Sequence, residues 1–229
     1  MANDARDPPG WYGKLSSLGD FANRRLAPEW VKVCDDWLSQ SIAISAQQLG
    51  ARWLEVYLNA PVWRFAWSPG VVDANWWFGV LMPSCDNVGR YYPLIVAQRR
   101  ERPPIDRIGF DHLELWWTHV AQAAMHTLGE PSTLDSFEDA LAEAPPWPSA
   151  GPLMVPQQRP APGHERFAVA RGATLGQLLH GLAVSELHGR MNGSSFWWPM
   201  SDASREGNFS LARGLPEPAS FSDMLAGQW

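Results

Sequence analysis

The chain has 229 residues, 45% of them hydrophobic and 18% charged, with a net charge of −6. These are globular values and exclude a disordered chain. The acidic balance leaves no electrostatic footprint for nucleic acid, and the run Arg99, Arg100, Arg102 is short and broken by Glu101.

No 18-residue apolar stretch occurs, so no transmembrane helix is expected. The opening MANDARDPPGWYGK lacks the apolar core of a secretory signal. Two cysteines, Cys34 and Cys85, read as reduced thiols of a cytoplasmic protein. Length favours one domain, which can bury roughly 70–75% of its unfolded surface. The 14 tryptophans read as core with some exposed rings, or as partly lining a partner surface.

Residues 11–21 read as a strand followed by a turn at Gly19-Asp20. Residues 28–45 read as a helix opened by Pro28, with Trp30, Val33, Cys34, Trp37 and Ile44 on one face. A second helix over about 47–58 directs Trp53, Leu54, Tyr57 and Leu58 inward, and Pro61 follows it. Residues 62–67 form an aromatic strand broken by Ser68-Pro69-Gly70. Residues 76–82 are almost wholly apolar, as in a strand buried on both faces. Residues 83–89 are a loop, and 90–98 return as the partner strand. Pro93 within that strand suggests a bulge or an edge position.

Residues 110–128 form the clearest helix, with Leu113, Trp116, Trp117, Val120, Ala124 and Leu128 on one stripe. Residues 132–144 form another, with Ser132 and Asp135 as a capping pair. Residues 145–163 hold seven prolines and read as an extended loop, the one place where a domain boundary could fall. Helix returns over 174–189. Residues 196–200 and 209–212 read as strands, and 220–225 as a short last helix. Helices interspersed with strands predict an α/β fold. The short connection between 76–82 and 90–98 demands an antiparallel pair, so a mixed sheet is expected.

The search for chemistry yields little. His112, His119 and His126 are spaced by seven residues, a rise of about 10.5 Å along a helix, too far to share an ion. They read as solvated flank histidines, and His180 and His188 fail the same spacing test. There is no C-x-x-C, H-E-x-x-H, Walker A, G-x-G-x-x-G or G-x-S-x-G pattern. Ser16-Ser17 and Ser194-Ser195 read as turn residues. Cys85 has Arg90 near it in sequence but no local histidine, so a reactive thiol is disfavoured. No catalytic residue, metal ligand or cofactor site is assigned. The Asp86–Arg90 pair keeps two readings: a structural contact pinning a turn, or an arginine that recognises a partner's carboxylate or phosphate. Lys14, Asp20 and Arg24, around the first turn, keep the same two.

Four blocks carry a resemblance. GKLSSLGDF at 13–21 resembles the G-K-x-P-S-x-G-D-F opening of the TagF (also called ImpM) family of type VI secretion accessory proteins. PVWRF at 61–65 resembles its P-x-W-x-F. Residues 77–94, WFGVLMPSCDNVGRYYPL, resemble its G-V-L-x-P-S-x-D-x-V-G-R-x-F-P-L block. Ser195-Phe196-Trp197-Trp198, Gly214-Leu215-Pro216 and 221–225 resemble its tail. Ser16 stands where the family has proline, so a looser first turn is expected. The resemblance implies a three-layer α/β/α sandwich in a single domain. It also implies a non-enzymatic cytoplasmic regulator that represses type VI secretion post-translationally by binding the forkhead-associated scaffold protein of the apparatus. Partner-binding candidates are Lys14, Asp20, Arg24, Asp86, Arg90, Trp197 and Trp198. The competing expectation is a small-molecule sensor or hydrolase with a pocket beside the 83–90 loop.

Overall fold

A computed structural model of the chain describes residues 7–104, 106–147, 156–161, 164–167, 171–172, 174–200 and 209–229. In chain order the elements are β1 (Gly10–Gly13), β2 (Ala22–Arg24), α1 (Pro28–Leu49), α2 (Trp53–Leu58), β3 (Trp63–Trp67), β4 (Trp76–Met82) and β5 (Leu94–Arg100). There follow α3 (Arg107–His126), α4 (Leu134–Ala142), β6 (Pro156–Ala161), β7 (His164–Phe167), α5 (Leu175–Met191), β8 (Ser194–Pro199), β9 (Ser210–Arg213) and α6 (Phe221–Leu225).

The fold is α/β around one seven-stranded sheet of order β2-β1-β5-β4-β3-β8-β9. Every pairing in it is antiparallel, which corrects the expected mixed sheet. A parallel pair needs a long crossover between neighbouring strands. Here the long helical connections, from β2 to β3 and from β5 to β8, join strands that are not neighbours.

Alternation along the strands sends side chains to two cores. On one face Phe78, Val80, Met82, Leu94 and Val96 meet Leu113, Trp116, Trp117 and Val120 of α3 and Phe137 and Leu141 of α4. On the other, Trp63, Phe65, Trp67, Trp77 and Ile95 meet Trp30, Cys34, Trp37 and Leu38 of α1, Tyr57 of α2 and Phe221 of α6. β4 is buried along its whole length, as its unbroken apolar run predicts. Gly79 at its centre lets two layers close. A Cβ there would lie 2.0 Å from the Val96 carbonyl oxygen and 2.5 Å from the Phe65 ring.

Several local expectations are corrected. Val33, Leu54, Leu58 and Leu128 are exposed. Val33 lies on the shoulder of the Trp30–Cys34–Trp37 stripe, α2 is only six residues long, and Leu128 lies past the end of α3. Pro93 precedes β5, so it removes no ladder donor, and β5 lies inside the sheet between β1 and β4. The capping pair of α4 is Thr133 with Ser136, one residue beyond the expected one. Ser194 and Ser195 begin β8 and are buried; they form no turn.

The Pro-rich segment is also not all loop. Trp147 is buried between Phe78 and Trp116, with ring centroids 4.9 and 5.1 Å away. β6, within the segment, pairs antiparallel with β7. The rest of the 145–163 expectation, at 148–155 and 162–163, lies outside the described residues. Among those described, no helix is long and apolar enough to cross a membrane.

Candidate functional site

The pairing of β1 with β5 brings the loop 14–21 beside the loop 83–93, because Gly13 stands opposite Leu94. Gly13 has φ 136°, and a Cβ there would lie 2.1 Å from the Pro93 carbonyl oxygen. The approach is open to glycine alone. Asn87 N–H then donates to the Leu18 carbonyl at 3.0 Å, joining the two loops.

Asp86 stands at the centre of this junction, 2% exposed. Its carboxylate accepts from the Lys14 ammonium, from Arg90 Nε at 2.7 Å, and from the backbone N–H groups of Val88 and Arg90 at 3.1 and 2.9 Å. Burial by itself raises a carboxyl pKa. Here the Lys14 ammonium, then the Arg90 amide and guanidinium and the Val88 amide, outweigh it and hold Asp86 well below the usual carboxylate range. Lys14 is 3% exposed, with its ammonium 4.6 Å from the Phe21 ring centroid. Ser84 Oγ donates to the Lys14 carbonyl at 2.8 Å, and Tyr57 hydroxyl donates to the Ser84 carbonyl at 2.9 Å. The loop is thereby tied to α2.

The outer surface of the junction is different. The Arg90 side chain is 56% exposed, although its Nη2 donates to the Gly19 carbonyl. Val88 and Phe21 are exposed beside it in the two loops. Phe21 packs edge-on to Tyr92 at 4.7 Å, and the hydroxyls of Tyr12 and Tyr92 both donate to Asp35 Oδ1, at 2.5 and 2.9 Å. The patch is a cation with two apolar neighbours, held from behind by a satisfied polar network.

Of the residues singled out in the sequence, the fold gathers Lys14, Asp86 and Arg90. Asp20 sits at the edge of the patch, where its carboxylate accepts from Phe21 N–H at 2.8 Å. Arg24 points elsewhere, to Glu138 of α4 at 3.8 Å. Trp197 is a correction. It is 0% exposed, in the core with Trp37 and Trp67, and its indole N–H donates to Ser195 Oγ at 3.0 Å. Its neighbour Trp198 faces the opposite side of the sheet, edge-on to Trp117 at 4.6 Å. The expected looseness at Ser16 is also corrected, because its hydroxyl donates to the Thr127 carbonyl and ties the first turn to the end of α3. His119 is no solvated flank residue: its Nε2 lies 2.7 Å from the Ala140 carbonyl. The hydrogen-bonding roles of Tyr57, Asp35 and Tyr92 escaped the sequence reading, because their contacts cross 23 to 57 residues and leave no local pattern.

The hollow that touches the loop, beside Met82 and Pro83, holds about 10 Å³. That is room for one water at most, too little for this hollow to take the ligand of the expected pocket. A wider apolar groove of about 320 Å³ lies on the other side of the molecule's aromatic core, between Phe110 and Trp117 of α3, Leu187 of α5 and Trp198. Among the described residues no group of three or more His, Cys, Asp or Glu side chains could hold a metal ion.

Comparison with known proteins adds three findings. The TagF N-terminal domain family, type VI secretion system-associated, matches residues 10–144. The crystal structure of PA0076 from Pseudomonas aeruginosa PAO1 is similar at 32% identity and a TM-score of 0.76, over 96% of this chain and 94% of that one. Comparison with curated proteins finds no match.

Proposed function

The chain belongs to the TagF family of type VI secretion system-associated proteins, and from that premise we propose that it is a non-enzymatic cytoplasmic accessory protein that represses type VI secretion post-translationally. On this reading it acts by binding the forkhead-associated scaffold component of the apparatus, and the two helix-covered faces of its sheet make a three-layer α/β/α sandwich. The supporting observation is the split character of the 83–90 loop. Its interior is fully hydrogen-bonded around Asp86, while Arg90 and Val88 stand exposed on its outer side with Phe21. A rigid backing with an exposed arginine and apolar flanks is what a preorganised contact surface needs.

The experiment is a binding titration of the purified scaffold protein against wild type and Arg90→Ala, with melting temperatures measured alongside. Loss of about tenfold or more in affinity, without loss of stability, is expected of a contact arginine. Equal affinity in the variant removes this face. Unchanged secretion on deletion of the gene, with no scaffold co-precipitating, removes the whole reading.

A further inference from the structure

The two edges of the sheet are unlike. β2 is three residues long, and Arg25 immediately after it turns the backbone to φ 59°. Arg24 and Arg25 there both reach Glu138. Two arginines held by a glutamate at a short edge oppose pairing with another strand. β9 is one residue longer and Gly214 after it likewise has a positive φ, 71°, so the difference between the edges lies in their side chains. β9 contains no proline or lysine, and its one cation is folded back: Arg213 Nη1 donates to the Asn192 carbonyl at 2.6 Å and to Ser194 Oγ at 3.2 Å. Phe209 and Leu211 beside it are 64% and 56% exposed.

The direction of the free backbone groups follows from the ladder. Gly214 N–H donates to the Gly193 carbonyl at 2.7 Å, so positions 193 and 214 form a hydrogen-bonded pair. The backbone of Ser194 turns the other way, to Ser68: its carbonyl accepts at 3.0 Å and its N–H donates at 2.9 Å. Hydrogen-bonded pairs alternate along an antiparallel ladder. With Ser195 opposite Ala212 and Trp197 opposite Ser210, Ala212 and Ser210 turn their N–H and C=O groups toward β8. Leu211 and Arg213 turn theirs outward, as does Phe209 if the alternation continues one residue back. Among the described residues no strand pairs with that outer side.

We propose that β9 is a self-pairing edge, through which two copies of this chain join antiparallel about a two-fold axis at Leu211. A two-fold normal to the sheet keeps each face on its own side, so only registers that pair residues of the same face are allowed. Centring on Leu211 meets that condition. Leu211 then stands opposite Leu211 of the second copy as a hydrogen-bonded pair, and Phe209 stands opposite Arg213 of the second copy. No like charges oppose one another, and the outward groups of both strands find partners. Leu211 against Leu211 buries the apolar side chains that the free edge exposes. The contact is small, so a weak, concentration-dependent dimer follows. Nothing in it depends on the reading of the 83–90 loop.

The test is sedimentation velocity on the full chain from low micromolar to several hundred micromolar, with cysteine cross-linking in a Cys85→Ser background. Wild type is expected to shift from monomer to dimer across that range. Leu211→Lys puts two ammonium groups at the axis and weakens the dimer by about tenfold or more. Leu211→Cys places two Cα atoms about 5.5 Å apart, inside the disulfide window of about 4.4–6.8 Å. Ala212→Cys places them roughly 8 Å apart, outside it. Efficient air-oxidised cross-linking at 211 with little at 212 supports the register. A monomer at every concentration, a dimer that survives Leu211→Lys, or cross-linking at 212 equal to that at 211 overturns the proposal.

Discussion

A buried carboxylate keeps its charge only where donors replace the water it has lost. At Asp86 those donors are Lys14, Arg90 and two backbone amides, so the residue fixes the relative position of two loops. Asp86→Ala leaves the Lys14 ammonium buried without its partner. We expect the melting temperature to fall by roughly 10 °C or more. Arg90→Ala removes a half-exposed partner and should cost less than about 4 °C. Differential scanning fluorimetry of the two variants decides this, and equal losses would show that Arg90 is as structural as Asp86. The pH dependence has a definite sign. The folded-state pKa of Asp86 lies below its unfolded value of about 3.9, so its contribution is complete above about pH 5. It is lost as pH falls through the unfolded value toward the folded one. Asp86→Asn should therefore flatten the acid limb of the melting temperature against pH and leave the neutral-to-basic limb with an unchanged slope. At this scale the sequence marks Asp86 and Arg90 as a charged pair in a loop. It does not reveal that Lys14, 72 residues away, completes the pair.

β4 shows how far an element can be read from its own residues. Its run of aromatic and aliphatic side chains requires burial on both faces, and both cores use it. Gly79 is the point where that packing has no slack. Gly79→Ala drives a Cβ into the Val96 carbonyl and the Phe65 ring, and displaces the strand whose Gly79 carbonyl accepts from Trp117 Nε1 at 3.0 Å. Overpacking of this kind costs about 1–3 kcal/mol, or roughly 2–10 °C in melting temperature for a domain of this size. An unchanged melting curve would mean that the strand can slide at no cost. The capping box of α4 gives a milder test: Thr133→Ala should destabilise by about 1 kcal/mol in urea denaturation. Helix faces were legible where the stripe was long, as in α3, and misleading where an element was short, as in α2 with its exposed Leu54 and Leu58. A six-residue helix has one inward turn, and periodicity cannot say which residues occupy it.

Both cores lie against a single sheet, so neither can melt while the other keeps its floor. We expect one cooperative urea transition, with tryptophan fluorescence and far-ultraviolet circular dichroism superimposing. Separate transitions would show that the two faces are independent units. The sequence by itself determined the helix and strand character of most segments, the buried central strands, the lack of an assignable catalytic motif and the family, because each is carried by local spacing or by residues contiguous in the chain. Only the tertiary structure decided that every neighbouring pair of strands is antiparallel, that Trp197 is core while Trp198 faces the other side, and that Lys14 meets Asp86. It also decided that, among the described residues, β9 ends one side of the sheet with Leu211 exposed, while β2 ends the other with its arginines held by Glu138. These are pairings between distant segments. Loop closure costs little more for one distant partner than for another, so the choice falls to the packing of the whole sheet.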